Sequence, residues 1–163
     1  MQLTNSPPAT LQHADIARRI PHQGSMCLLD GVTAWNKQQI FCEAISHRAA
    51  GNPLRAHGQL GAACGIEYAA QAMAIHGALI AETEADHGTL NDAPKIGYLV
   101  SLRNVTLHVE RLDDQPGVLS IHAERMSGDN RSILYSFSLQ AGSALLVSGR
   151  AMVLLDAMLP PSL

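Results

Sequence analysis

Residues 60–80 form a 21-residue run whose only strongly polar side chains are Glu67, Gln71 and His76. A run this apolar has to be enclosed, either by lipid or by protein. A central carboxylate costs about 2.5–3.5 kcal/mol on membrane-insertion scales, and the abundant Ala and Gly offset little of that, so no membrane span is expected. The pattern is helical and extends over residues 59–83. On a wheel of about 100° per residue, Gly61, Ala62, Gly65, Ala69, Ala72 and His76 lie opposite Glu67. That face is poor in Cβ atoms beyond alanine, so the helix axis can approach a curved sheet closely. The Glu67 side holds Leu60, Cys64, Gln71, Ala74 and Ala78, also largely apolar. A helix apolar all round is buried all round.

The rest of the chain supplies the cover. Residues 15–20 read as a short helix stopped by Pro21, which lacks the donor a continuing helix needs. A loop from Pro21 leads into a short strand, and residues 40–46 form a second strand, broken by Gly51-Asn52-Pro53. After a loop over residues 86–94 the period changes to two. Val105, Leu107 and Val109 alternate with polar residues, and so do Leu119, Ile121 and Ala123. Ile133, Tyr135, Phe137 and Leu139 continue the scheme, followed by Leu145, Val147, Ala151 and Val153, with turn residues between the runs. Four strands joined by short turns predict an antiparallel meander with one buried face. The class is α+β, a single domain over residues 15–156, with residues 1–14 and 157–163 as frayed ends carrying Pro7-Pro8 and Pro160-Pro161. A meander covers one side of a helix only, so a dimer with a shared sheet is expected.

Charge supports that reading. The 163-residue chain has 11 Lys and Arg and 14 Asp and Glu, 15% of its residues, against about 25% in soluble domains. Such a shortage points to extra buried surface, in a thick core or a subunit interface. A net charge of −3, no basic run and 4% aromatic residues argue against a nucleic-acid partner. Cys27, Cys42 and Cys64 are odd in number and lack a C-x-x-C spacing, so neither a disulfide framework nor a zinc site is suggested. With no basic segment followed by an apolar one at the start, a cytoplasmic location is expected. No metal or redox cofactor is implied.

Glu67 is the most informative residue, because a carboxylate inside an apolar helix is costly unless paired, protonated or used. Burial should favour its neutral form, which suits a general acid. Gln71, at i+4, is placed to hold it by a hydrogen bond. His76 falls on the opposite face and cannot pair with Glu67 in the same chain, while His108 and His122 occupy polar strand positions. His22, in Pro21-His22-Gln23, either pins a turn or lines a pocket. His47 ends a strand in which Phe41 and Ile45 suggest an inward phase, and His57 sits beside Gly58 just before the helix. Either could reach a pocket at the helix start. There Gly58, Gln59 and Gly61 would offer free backbone donors to a developing negative charge.

Three segments carry a resemblance. Ile20-Pro21-His22-Gln23-Gly24-Ser25-Met26-Cys27-Leu28-Leu29-Asp30-Gly31-Val32, then Glu67-Tyr68-Ala69-Ala70-Gln71, then residues 97–105 together resemble the 3-hydroxyacyl-acyl-carrier-protein dehydratases of the FabA/FabZ-like group. Residues 52–77 resemble a divergent branch of predicted dehydratases found with aryl-polyene-type lipid biosynthesis. The resemblance implies a hotdog fold, an antiparallel sheet wrapped around a long central helix, in a homodimer or a hetero-oligomer with another hotdog subunit. It implies elimination of water from an (R)-3-hydroxyacyl thioester on acyl carrier protein, with Glu67 delivering a proton to the 3-hydroxyl and a His taking the C2 proton. The family's Gly-His-Phe-Pro motif is missing, and the matching His position falls on Pro53. His47 or His57 then substitutes, or the chain borrows its base from a different hotdog partner. Arg48, Arg55, Lys95 and Arg103 are candidates to meet an acidic carrier. The alternatives are a hotdog thioesterase, in which the carboxylate activates water, and a noncatalytic subunit.

Overall fold

The computed structural model describes residues 10–86, 97–129 and 131–155. The frayed ends expected around Pro7-Pro8 and Pro160-Pro161, the loop after residue 86 and Lys95 lie outside them. Strand β1 (Leu11–Gln12) leads directly into helix α1 (His13–Ala17). This helix starts earlier than expected because the Gln12 backbone N–H donates to Asp15, closing its first turn. Strands β2 (Gly31–Trp35) and β3 (Gln39–Ala44) follow, then the long helix α2 (Gly65–Asp86). The chain ends in β4 (Gly97–Leu107), β5 (Leu119–Gly128), β6 (Ser132–Ala141) and β7 (Ala144–Leu155).

All seven strands form one antiparallel sheet in the order β1-β2-β3-β5-β6-β7-β4. Helix α2 packs mainly across β3, β5 and β6. The rows beneath it read directly from the register: Cys42 opposes Ile121, Ile121 opposes Leu139, and Leu139 opposes Val147. All four are buried. The small helix face allows the close approach. A Cβ at Gly65 would lie 3.0 Å from Leu139 Cδ2 and 3.1 Å from Val147 Cγ2, and Ala69, Ala72 and His76 are buried.

Three expectations change. The last four strands are not a meander. Only β5, β6 and β7 are, while β4 joins the far edge beside β7. The connection from β4 to β5 passes over the start of α2, where Ala62 N–H donates to Glu110 and Leu112 N–H donates to Leu60. A hairpin between β4 and β5 is thereby replaced by a crossing. The alternation through Val105, Leu107 and Val109 is broken as well. Asn104 adopts φ 52° and the β4 register shifts between Arg103 and Thr106, so Val105 folds over Gly149 while Leu107 is 47% exposed. A smaller irregularity between Leu139 and Gln140 turns Leu146 inward and Leu145 outward.

The third change concerns α2, which begins at Gly65 after a short 3-10 turn (Ala62–Cys64), and not at residue 59. His57 (φ 53°) and Gly58 (φ 73°) are the centre of a tight turn closed by reciprocal hydrogen bonds between Ala56 and Gln59. Two left-handed residues in succession cannot be helical. Enclosure of α2 within one chain is also incomplete, since Ile66, Glu67, Ala70, Ala74 and Ala78 are half-buried. Among the described residues no helix is long and apolar enough to cross a membrane.

Candidate functional site

With the helix starting at Gly65, Glu67 lies in its first turn. Its side chain is 33% exposed, so the buried carboxylate expected from the sequence is instead one at the open side of α2. Gln71, one turn on, is buried and makes three contacts. Its Oε1 accepts the Leu28 N–H (2.9 Å), and its Nε2 donates to the Met26 carbonyl (2.8 Å) and to Glu67 Oε1 (3.0 Å). The loop after α1 is thus clamped to α2. Gly24, at φ 58°, lets this loop turn so that Met26 and Leu28 present backbone groups to Gln71.

The same clamp brings His22 to the carboxylate. His22 Nε2 lies 3.0 Å from Glu67 Oε1, while its Nδ1 is buried without a hydrogen-bond partner. Of the two roles open to His22, the structure places it beside the carboxylate. A second network supports the loop from behind. Asn52 Nδ2 donates to Tyr68 OH (3.1 Å), Tyr68 OH bonds Ser46 Oγ (2.8 Å), and Ser46 Oγ donates to the Leu28 carbonyl (2.7 Å). Leu28 is therefore held on both sides. Burial pushes the Tyr68 phenol above its ordinary range. None of these partners was given a role in the site from the sequence, although a Tyr next to the key Glu and an Asn before Pro53 were visible signals.

His47 and His57 are elsewhere. Strand β3 ends at Ala44 and its inward residues are Ile40, Cys42 and Ala44, so Phe41 and Ile45, 37% and 58% exposed, mark the outward phase. His47 is buried because a 3-10 turn (Ser46–Arg48) follows the strand. Its Nε2 donates to the Gln115 carbonyl (3.1 Å), and its Nδ1 is buried and unpartnered. Burial holds its imidazole below the usual range. His57 is exposed at the tip of its turn. His76 bridges Tyr135 OH and the Asn36 carbonyl, and His13 donates to Leu29. His122 stacks on Phe41 at 4.4 Å beside a groove of about 220 Å³ on the sheet face away from α2.

The donors expected near Gly58, Gln59 and Gly61 are largely satisfied within the chain. Gln59 N–H goes to Ala56, Leu60 N–H to Asp113, and Cys64 N–H to Gly61. Asp113 is the hub of this region, bound also by Arg111 and 3.6 Å from Arg55. The Arg111 guanidinium holds its carboxyl well below the usual range. Arg55, bonded to Ala49 and Gly58 as well, is a structural tie, whereas Arg48 and Arg103 are exposed.

Comparison with known proteins decides the family. The family model described as ApeP dehydratase (ApeP-like) matches residues 14–159. The chain belongs to the ApeP-like dehydratases. It is a dehydratase by that membership, in agreement with the divergent dehydratase branch that residues 52–77 resemble. No curated protein sequence matches. Among solved structures, the dehydratase heterocomplex ApeI:P from Xenorhabdus doucetiae aligns with TM-score 0.73 at 21% identity, over 88% of this chain and 91% of that one. A Haemophilus influenzae thioesterase aligns with TM-score 0.60 at 10% identity, over 95% and 97%. A thioesterase family protein from Silicibacter pomeroyi gives 0.58 at 12%, over 88% and 97%. At these identities the structural likenesses speak for the shared hotdog fold of this ApeP-like chain.

Proposed function

We propose that this ApeP-like chain removes water from an (R)-3-hydroxyacyl thioester carried on acyl carrier protein, giving the trans-2-enoyl thioester in polyene-type lipid biosynthesis. The observation that carries the reading is Glu67, held at the open side of α2 by Gln71 and His22. Glu67 gives its proton to the departing C3 oxygen, and the C3–O electron pair leaves with it as water. The C2–H pair becomes the new double bond, and an imidazole takes the C2 proton.

That imidazole is read here as belonging to a second hotdog subunit. His47, first in line from the sequence, has one nitrogen on Gln115 and the other buried, and His57 is held in an exposed turn. The solved relative named as a heterocomplex supports pairing with a different hotdog chain. The half-covered side of α2 and the exposed apolar residues of β4 offer a surface for it. Among the described residues, exposed Arg48 and Arg103 are the remaining candidates to face the acidic carrier. Three unpaired cysteines fit a reducing cytoplasm.

The test is to incubate 3-hydroxyacyl carrier protein with the chain alone and with its hotdog partner, following loss of water by mass and enoyl absorbance. Dehydration is expected in the pair. Glu67→Gln in that pair lowers turnover about 10²–10⁴-fold with an unchanged unfolding midpoint, because an amide oxygen can keep both contacts of Oε1. Release of free thiol would favour the thioesterase reading. A pair indifferent to Glu67→Gln would leave the chain as a noncatalytic subunit.

A further inference from the structure

We propose that Gln71 fixes the protons of this site, so that His22 serves Glu67 as an Nε2–H donor, not as a base, and any carboxyl proton of Glu67 resides on Oε2. The argument starts from two backbone groups whose roles cannot change. Leu28 N–H can only donate and the Met26 carbonyl can only accept, so the buried Gln71 amide has one orientation. Its remaining N–H points at Glu67 Oε1. Oε1 is therefore an acceptor.

His22 Nε2 approaches that same oxygen. A carboxylic hydroxyl is a poor acceptor, so with Gln71 donating to Oε1 the hydrogen between Oε1 and Nε2 belongs to the imidazole. The other end of the ring agrees independently. Nδ1 is buried with no partner, and an orphaned N–H is rarer than an under-satisfied acceptor. A bare lone pair at Nδ1 requires the hydrogen on Nε2. In this state His22 shows no basic nitrogen to a substrate, since one nitrogen donates to Glu67 and the other is enclosed.

The consequence is chemical and rests on the dehydratase reading of Glu67. When the Oε2–H bond breaks and the proton joins the departing hydroxyl oxygen, negative charge grows on the carboxylate. Two N–H groups, from Gln71 and His22, already point at it, so the donation needs no rearrangement. Gln71 and His22 are thus positioning residues for the acid step.

Nitrogen-detected NMR of the isotopically labelled chain reads the tautomer without any turnover. The His22 signals, assigned by their loss in His22→Gln, are expected to show Nε2 protonated and Nδ1 bare at neutral pH. In Gln71→Met the two tautomers should average. The Nδ1–H tautomer, or an imidazolium, in the unmodified chain would overturn the proposal. In the active pair, His22→Gln retains an N–H at the Nε2 position and should stay within about tenfold of the parent, with the same pH profile, whereas His22→Ala should fall about 10²-fold. Equal loss in both would make His22 a base and refute the donor role. A correct tautomer in a pair that never dehydrates would sink the dehydratase reading alone.

Discussion

Among the described residues, His47 is placed to make stability depend on pH. Its ring is fully buried, Nε2 donates to Gln115, and a second proton on Nδ1 would find no acceptor. Its folded pKa lies below the ordinary 6.5, chiefly through burial, so between the two values the unfolded chain binds more protons than the folded one. Stability from the neutral ring is present above the unfolded value and is lost as pH falls below it. His76, lowered by burial as well, acts with the same sign. The urea midpoint should therefore drop between about pH 7.5 and about pH 5.5, and His47→Gln, which keeps a donor for Gln115 but cannot titrate, should reduce that drop. A slope unchanged by the substitution would remove His47 from this account. Asp113, whose carboxyl is held low mainly by Arg111, loses its contribution only in a separate window, below the ordinary carboxylate value of about 3.9. Glu67 and Gln71 were legible in the sequence because a carboxylate in an apolar run is an anomaly and i+4 is a fixed helical neighbour. His22 was legible as a residue of a turn or a pocket, but its pairing with Glu67 was not, since 45 positions separate them and the Gln71 clamp brings them together. The phase of β3 was misread at Phe41 and Ile45, which point outward, and His47 is buried only because a 3-10 turn follows the strand.

At the level of elements, the site depends on how closely α2 lies on the sheet. Gly65 sets that distance, with Leu139, Val147 and Leu112 all within 3.6 Å of where a Cβ would stand. Gly65→Val should cost about 1–3 kcal/mol of stability by overpacking, measured by denaturant titration. It should also weaken turnover, because lifting the first turn moves Glu67 relative to His22. If stability holds and turnover is intact, the close approach is not what positions the carboxylate. Tyr68→Phe should cost about 1 kcal/mol, since Ser46 and Asn52 each keep a backbone contact. The small helix face and the period-2 runs of β5 and β6 were readable because each follows from side chains within one element. The position of β4 was not, for the path from Leu107 to Leu119 is decided by backbone bonds to the start of α2. The helix start failed for a local reason: an apolar pattern through residues 59–64 does not register that His57 and Gly58 reverse the chain.

For the whole molecule, the sparse charge of the sequence has a structural counterpart. Leu99, Leu102 and Leu107 of β4 lie exposed in register with Val153, Ala151 and Val147, on the face that α2 covers elsewhere. Burying such residues contributes roughly 25 cal/mol per Å², so this side has the character of an interface. Leu99→Lys with Leu102→Lys should lower the mass measured by light scattering and abolish turnover of the pair, while the isolated chain keeps its unfolding midpoint. Retention of the larger mass would move the interface elsewhere.

The two margins of the sheet are unequal. Among the described residues, strand β1 pairs through Leu11 and Gln12, whereas β4 runs eleven residues and is interrupted by the left-handed Asn104. A bulge bends and twists its strand, so an added strand can follow β4 in an even ladder over only part of its length. Growth by strand addition along β4 therefore meets a built-in stop. Assemblies of this chain should end at a counted number of subunits, with fibres expected only when Asn104 and Val105 are replaced by a regular pair that straightens the edge.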